Sequence, residues 1–390
     1  MLSESSWGSS LPLGINGCAT RHPSCCSRRN TAKVAWLSSS RRSAGGLRDQ
    51  CEFCYSGGII SFGAGAMNFE FSEEQHLLRD QARAFLAEFC PTDTVRAVLD
   101  SDNEWDQSLW GRVAEMGWTA TVIPEAYGGL GLSHYELAIL AEEMGRSVAP
   151  LPFSSSVYLA SEAIVAFGSE GQKSEWLPKL ASGECVGTVA MWERPGALAL
   201  EQLATRRLGD TVSGVKSPVP DAGVADVVVV LAHSDAGLEA CLVPMDQAGV
   251  QQQSVMTLDG SRGHSTLTLD NAQAEVLGHN TIEPSAWERL IDGAAVMFAW
   301  EQLGVAESAL TQARDYALQR FAFGRAIGSY QAIKHKLAAM YVKNTLARSN
   351  AYYGVWALAE NSADLPLAAA TARVAGIQAA AFAAEENIQT

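Results

Sequence analysis

The sequence predicts an α+β fold with helical domains at both ends and a β domain between them. Three observations support this class: apolar residues recur with helical spacing early in the chain, alternate or run continuously in the middle, and recur with helical spacing again near the end. With 390 residues, 47% of them hydrophobic, the chain can form two or three domains. We expect an N-terminal helical domain at 67–183, a central β-barrel domain at 184–283 and an incomplete four-helix-type bundle at 284–390.

The composition argues against three kinds of partner. Because 43 acidic residues outnumber 28 basic ones, the formal net charge of -15 repels phosphate backbones, and we expect no nucleic-acid partner. No apolar run approaches the roughly 18 residues of a membrane-spanning helix, so we expect no membrane span. The seven histidines are scattered without a metal ligand at i+4, so we expect no metal site, and His335 is expected to be solvated.

Residues 1–66 differ in composition from the rest of the chain. They hold five of the eight cysteines, 13 serines, seven basic residues and three acidic ones, without sustained periodicity, so we expect disorder. An Arg- and Ser-rich transit peptide is one explanation. A zinc site is another, and it would use Cys25, Cys26, Cys51 and Cys54. The third explanation, which we favour, is a start codon assigned too early, because an ordered pattern begins directly after Met67.

The expected location follows from that choice. A start at Met67 gives a cytoplasmic bacterial protein, whereas a transit peptide gives a protein of the mitochondrial matrix. Outside the first 66 residues the cysteines, Cys90, Cys185 and Cys241, are singly placed, as expected in a reducing compartment. We therefore favour the cytoplasm.

The N-terminal domain begins with a helix that has its own start signal. Ser72, with Gln75 three residues later, forms a capping box. The apolar residues that follow share one helical face: Leu78, Ala82, Phe85, Leu86 and Phe89. A second helix begins at Ser133, with Glu136 as its box partner, and is expected to end at Gly145.

A glycine-rich turn, Pro124–Ser133, lies between these helices. It does not have the spacing of a GxGxxG motif, and no clear strand precedes it. The sequence therefore gives no dinucleotide-binding fingerprint here.

The central domain changes to strand patterns. The predicted strands are marked by the alternating Val186, Thr188 and Ala190, by the apolar run 226–231, and by 242–244 and 267–269. Glycine and proline residues separate them at intervals typical of a small antiparallel barrel or sandwich.

The C-terminal domain is rich in alanine and helical in its spacing. One predicted helix face carries Ile333, Leu337, Met340, Tyr341 and Asn344. Pro366 stands where the first turn of a helix accepts proline.

Self-contained catalytic signatures are missing from the sequence. It has no GxSxG, no Walker loop and no HExxH. Pattern alone therefore predicts an α+β protein without predicting an activity.

The segment Tyr316–His335, between two predicted long helices, is the informative part of the chain. Over essentially all of 67–390 the sequence resembles the acyl-CoA dehydrogenase family. The stretches that carry the resemblance are Tyr316–His335, Pro124–Ser133, Glu142–Arg146, Gly183–Ala190, Leu267–Asp270 and Leu277-Gly278.

The resemblance implies both an architecture and a reaction. It implies a helical domain, a β-barrel and a four-helix domain, assembled as a dimer or tetramer that binds FAD. A carboxylate would remove the α-proton of an acyl-CoA thioester while the β-hydrogen leaves as hydride to the flavin, giving a 2-enoyl-CoA. An electron-transfer flavoprotein is the expected acceptor.

Three residues of the informative segment resemble family residues that reach a cofactor held mainly by a neighbouring subunit. Arg320 would present its guanidinium to the FAD pyrophosphate, where two parallel hydrogen bonds suit the oxygens. Phe323 would contact the same cofactor, and Gln331 would hydrogen-bond nearby. From the residues alone, without the surrounding motif, a solvated basic stretch before a helix is the preferred interpretation of Arg320 and Arg325.

The sequence departs from the family at two flavin-facing positions. Trp192 stands where the family has a threonine whose hydroxyl meets the flavin. After the Gly-x-Lys of 214–216, the chain reads Ser217-Pro218-Val219-Pro220, without the family's tryptophan and threonine.

The catalytic base is not visible in the sequence. The resemblance places it either beyond Thr390 or at the helical position occupied by Ala294. Asp292 is expected near the acyl-CoA, and Glu301, two turns along the same helix, is a weaker candidate for the base.

Three interpretations remain open. The favoured one is a self-sufficient FAD-dependent acyl-CoA dehydrogenase. The second is a degenerate subunit that pairs with a complete paralogue, and the third is an inactive, truncated remnant of the fold.

Overall fold

A computed structural model describes residues 71–101, 103–196, 198–278 and 281–390. The transit peptide, the cysteine zinc site and the start at Met67 all fall outside these residues. Within them the predicted fold class is confirmed: helices come first, a curled sheet follows, and long helices complete the chain.

The first helical region holds six helices. They are α1 (Glu73–Phe89), α2 (Thr92–Leu99), α3 (Gln107–Glu115), α4 (His134–Ser147), α5 (Glu162–Phe167) and α6 (Glu170–Ala181), and a π-helical segment, Ser154–Ser161, runs directly into α5. Both predicted capping boxes are confirmed. In the first, the Gln75 N–H donates to Ser72 Oγ at 3.2 Å while the Ser72 N–H donates to Gln75 Oε1 at 3.0 Å.

The middle region is a curled, eight-stranded sheet. Its strands are β1 (Gly187–Ala190), β2 (Arg206–Leu208), β3 (Thr211–Pro220), β4 (Val227–Ser234), β5 (Gly237–Pro244), β6 (Val250–Ser254), β7 (His264–Gln273) and β8 (Glu275–Val276). Pairing runs β6-β7-β3-β2-β4-β5-β8, with β1 also on β4. The sequence predicted an antiparallel arrangement, and this prediction was wrong for two strands. Both β1 and β2 pair with β4 in parallel.

Strand β4 explains the continuous apolar run of the central region. Val227, Val229 and Leu231 pack into the core shared with the helices. Val228 and Val230 pack into a second core inside the sheet. Since successive side chains of a strand point to opposite faces, a strand covered on both sides has no polar alternation.

Three long helices and a short hairpin form the last region. They are α7 (Pro284–Gln319), β9 (Phe321–Ala322), β10 (Arg325–Ala326), α8 (Gln331–Ala359) and α9 (Leu365–Ile388). Pro366 lies in the first turn of α9, as predicted. The predicted face of α8 was wrong at Tyr341, which is 64% exposed because it lies at the edge of the stripe centred on Met340 and Asn344.

Helix α4 does not end where the sequence predicted. It continues past Gly145 to Ser147 and is capped by Val148 in the left-handed conformation. Gly145 instead allows α7 to cross in backbone contact, since a Cβ there would lie 1.9 Å from the Glu301 carbonyl oxygen. The reciprocal position is Gly304, whose Cβ would lie 1.9 Å from the Glu142 carbonyl oxygen.

Helix α9 corrects the expectation that no apolar run is long enough to span a membrane. By length and composition this helix of 24 residues could do so, and 33% of its most apolar window is buried. Ala368, Ala372 and Ala379 are buried where α9 packs against the other long helices. Such packing is that of a bundle helix.

Candidate functional site

A cavity of about 400 Å³ lies between α4, the π-helical segment with α5, and the start of α7. This volume is in the range of small-molecule sites. Helix α7 contributes residues spaced three or four apart, which places them on one face: Ala286, Arg289, Leu290, Gly293, Ala294 and Met297. The facing wall is formed by His134, Leu137, Tyr158, Glu162, Ala166, Phe167, Leu358 and Asn361.

The walls of this first cavity are mostly apolar, and its ionisable side chains are those of His134, Glu162 and Arg289. His134 Nε2 lies 3.0 Å from Glu162 Oε1. The Arg289 guanidinium donates to Asn361 Oδ1 and, at 3.5 Å, to the Ser362 carbonyl oxygen. Asn361 is exposed, so the cavity reaches the surface beside Arg289.

Ala294, one of the two positions considered for the base, is buried in the wall of the first cavity. It presents a methyl group there and no proton acceptor. Among the described residues that line the cavity, the one carboxylate is Glu162, which is already paired with His134. The base therefore stays unassigned within the described residues.

Asp292 lies on another face of α7 and lines a second cavity of about 380 Å³. This cavity is bounded by α7 and the turn Leu198–Gln202, and it contains three carboxylates, those of Glu201, Glu288 and Asp292. Burial raises the pKa of Asp292, and the charge of Glu288 raises it further. The structure thus does not bring Asp292 and Ala294 into one pocket.

Glu301, which is buried, is the counter-ion of the half-buried Arg262. Its Oε2 accepts from Arg262 Nη2 at 2.8 Å, and Arg262 also donates to Ser154 Oγ. Tyr158, 1% exposed, separates this pair from the first cavity, and burial followed by the charge of Glu301 raises the pKa of its phenol. Glu301 itself does not line the cavity.

The three predicted cofactor residues lie together on one exposed segment, which we call the arm (Arg320–Gln331). Arg320 follows α7, Phe323 is at the tip of the β9–β10 hairpin with 98% exposure, and Gln331 begins α8. Phe323 has a φ of 51°, a strained value for a bulky residue. The arm is held by Tyr330, whose hydroxyl donates to the Ala322 carbonyl oxygen at 2.9 Å and whose ring lies 4.0 Å from the Arg325 guanidinium.

The positions that depart from the family meet beside a buried ion pair that sequence reasoning missed. The Trp192 carbonyl oxygen accepts from the Ser217 N–H at 2.8 Å. Lys216 precedes Ser217 in the sequence, and Glu193 follows Trp192. The Nζ atom of the fully buried Lys216 lies 3.2 Å from Glu193 Oε1. The signal that could have found this pair is a lysine in the strand core with a glutamate beside Trp192.

Both members of this pair have perturbed pKa values. Burial lowers the pKa of Lys216 to about 8. For Glu193, burial is outweighed by hydrogen bonds from the N–H of Ala204 and the hydroxyl and N–H of Thr205, so its pKa falls to about 2. Lys216 also contributes to the low value. The pair holds the middle of β3 against the segment after β1.

Comparison with known proteins identifies the family. The acyl-CoA dehydrogenase N-terminal domain matches residues 72–184, and the acyl-CoA dehydrogenase C-terminal domain matches residues 286–390. The acyl-CoA dehydrogenase IpdE2 of Mycobacterium tuberculosis is 33% identical over 318 residues, which cover 81% of this chain and 85% of that protein. This chain belongs to the acyl-CoA dehydrogenase family.

Two solved structures are similar along most of their length. The ChsE4-ChsE5 complex from Mycobacterium tuberculosis has a chain with a TM-score of 0.76 and 25% identity, covering 83% of this chain and 87% of that one. A variant of the Tcur3481-Tcur3483 steroid ACAD has a TM-score of 0.72 and 30% identity, covering 81% and 86%. The family consists of flavin-dependent oxidoreductases of lipid metabolism that assemble as oligomers.

The residues of this family member fit only part of FAD. The arm offers an exposed guanidinium, Arg320, which makes no ion pair or side-chain hydrogen bond within the described residues. At the positions that the family resemblance sets beside the flavin ring, Pro218 and Pro220 have no backbone N–H to donate, and Trp192 carries no hydroxyl. The exposed guanidinium of the arm therefore fits the pyrophosphate of FAD, whereas the positions beside the ring lack the donors that the resemblance implies.

Proposed function

We propose that this chain is a subunit of an FAD-dependent acyl-CoA dehydrogenase, which converts an acyl-CoA thioester into the 2-enoyl-CoA. The observation that carries the proposal is the apolar cavity beside Ala294, at the helical position where the family resemblance puts the reacting end of the substrate. Its apolar walls would stabilise a bound acyl chain by about 25 cal/mol for each Å² removed from water.

In this proposal the chain binds and orients the substrate and shields it from water. The acyl chain occupies the first cavity, against Leu290 and Met297. Asp292 remains the proposed contact to the rest of the acyl-CoA. Since Glu201 and Glu288 share its cavity, the contact suits a neutral amide of the pantetheine and not a phosphate. Bound FAD would accept the β-hydrogen as hydride, and Arg320, Phe323 and Gln331 would help to hold it in the neighbouring subunit.

A second candidate function is favoured by the ring-facing positions. With Trp192, Pro218 and Pro220 there, the chain would keep the arm but lack its own flavin contacts, and would act only when paired with a complete paralogue. The ChsE4-ChsE5 complex is a relative described as a complex of two proteins. In either case we propose an electron-transfer flavoprotein as acceptor and the cytoplasm as location. Several relatives are bacterial, which supports this location, whereas others are mitochondrial enzymes of mammals.

The experiment is to measure flavin in the purified chain, expressed alone and together with a complete family member. A visible flavin absorbance band in the chain alone, bleached by an acyl-CoA, would support the self-sufficient enzyme. A band that appears only in the co-expressed complex would support the paired subunit. Absence of flavin in both preparations would contradict both candidates.

A further inference from the structure

The first cavity contains a cation, Arg289, that makes no close salt bridge within the described residues. Arg289 lines the cavity, and its guanidinium donates to two neutral oxygens, Asn361 Oδ1 and the Ser362 carbonyl. Among the described residues Arg289 makes no salt bridge within 4.0 Å, and the carboxylate that its charge does affect, Asp292, lines the other cavity. The nearby Glu162 is paired with His134 at 3.0 Å. Arg289 is therefore available to an anion that enters with the ligand.

The position of Arg289 fits the far end of an acyl chain. Arg289 precedes Ala294 by five residues on α7, which is about 7.5 Å along the helix axis at 1.5 Å for each residue. Leu290 and Gly293 line the wall between them. Consider an acyl chain whose reacting carbons lie beside Ala294 and which runs along this wall. The last atoms of that acyl chain reach the Arg289 guanidinium.

We propose that Arg289 is a specificity-determining residue that selects acyl-CoA substrates carrying a carboxylate at the distal end of the acyl chain. This inference rests on the proposed function. A planar guanidinium binds a carboxylate through two parallel hydrogen bonds, and Arg289 is half-buried, which weakens competition from water. An acyl chain that ends in a methyl group gains no binding energy from this cation, and one that ends in an ammonium group is repelled by it.

The test is calorimetric binding of a matched pair of thioesters, octanoyl-CoA and octanedioyl-CoA, to the full chain in the assembly that carries flavin. We expect the dicarboxylic thioester to bind about tenfold more tightly, equivalent to about 1.4 kcal/mol. Arg289→Gln should remove that preference while octanoyl-CoA binds as before, and Arg289→Lys should keep part of it. The control is Arg314→Gln on the same helix, which removes an exposed arginine paired with Asp315 and should leave the preference intact.

The outcomes separate this inference from the proposed function. Equal dissociation constants for the two thioesters in the unmodified protein, or a preference that survives Arg289→Gln, would overturn the role of Arg289 and leave the proposed function standing. If neither thioester binds, the proposed function fails and the inference fails with it. Circular dichroism of each variant shows whether it is folded.

Discussion

Single buried charges determine how the central sheet joins the helices. Asp221, in the left-handed conformation at the end of β3, accepts a hydrogen bond from Ser155 Oγ at 2.6 Å. Arg262 and Glu301 form the neighbouring ion pair. Each of these contacts connects residues far apart in the sequence, so that removing one partner leaves the other in a dry environment.

The pair of Lys216 and Glu193 gives a prediction for stability. Glu193→Gln removes the counter-ion of a lysine that is 0% exposed, and we expect it to lower the free energy of unfolding by about 3 kcal/mol. Urea denaturation at neutral pH measures this change. The control is Glu175→Gln, which breaks an exposed pair with Lys179 and should change the stability by less than about 0.5 kcal/mol. Similar losses in both variants would contradict the prediction.

Asp221 gives a prediction for the dependence of stability on pH. Burial, opposed by Arg262 and by the Ser155 hydroxyl, raises its pKa from 3.8 to about 6. Because the folded pKa is the higher one, the contribution of Asp221 to stability is fully present below about pH 4 and is lost as the pH rises through about 6.

Asp221→Asn should therefore gain stability relative to the unmodified protein as the pH rises from 4 to 8. About two pKa units correspond to a change of about 3 kcal/mol in the difference between the two proteins. The other charged groups that act on this carboxylate, His264 and Glu104, are unchanged in the variant. Denaturation series at several pH values measure the difference, and a difference that stays constant with pH would refute this account.

At the scale of elements, the crossing of α4 and α7 decides how the first and last helical regions join. Gly145 and Gly304 bring the two backbones into contact. Ion pairs flank the crossing: Arg348 donates twice to Glu142, at 2.7 and 3.1 Å, and Arg83 donates twice to Glu143, at 2.6 and 3.0 Å. Small residues and paired charges together make this contact close and specific.

Gly304→Ala tests the crossing. Its Cβ would lie 1.9 Å from the Glu142 carbonyl oxygen, so the helices must separate, and we expect a loss of about 3 kcal/mol or more in unfolding free energy. The matched substitution is Gly111→Ala in α3, where nothing lies within 4 Å. That variant should gain up to about 1 kcal/mol from helix propensity. Thermal and urea unfolding of both variants provide the comparison, and a neutral Gly304→Ala would show that the helices can shift apart freely.

At the scale of the whole molecule, the arm is notable because its three proposed cofactor residues line neither of the two cavities beside α7. These residues, Arg320, Phe323 and Gln331, are exposed. Since Tyr330 holds the arm in place while its tip is exposed, the arm fits the proposed role of completing a cofactor site on another subunit.

Arg320→Ala tests this role of the arm. It should lower the flavin content of the purified assembly several-fold, since a charge-assisted hydrogen bond to the cofactor is lost. Thermal unfolding of the separate chain should be unchanged, because Arg320 is exposed. Arg314→Ala, also exposed, serves as the control and should retain the flavin. Unchanged flavin content in Arg320→Ala would exclude the arm from the cofactor site.

Much of the local structure and the family could be predicted from sequence because those signals are local. The capping boxes at Ser72 and Ser133 each span four residues and mark where a helix begins. The continuous apolar composition of strand β4 indicates that both of its faces are buried. The stretches from Pro124 and from Tyr316 carry the family resemblance, which the comparisons confirm.

The sequence by itself determined the order of elements, the fold class and the family, since these depend on residue type and spacing along the chain. The tertiary structure alone decided that Gly145 is a crossing point and not a helix end, and that Asp292 and Ala294 face different cavities. It also paired Glu301 with Arg262, 39 residues away. Periodicity specifies which residues share a face of a helix, but what lies opposite that face depends on packing between distant segments.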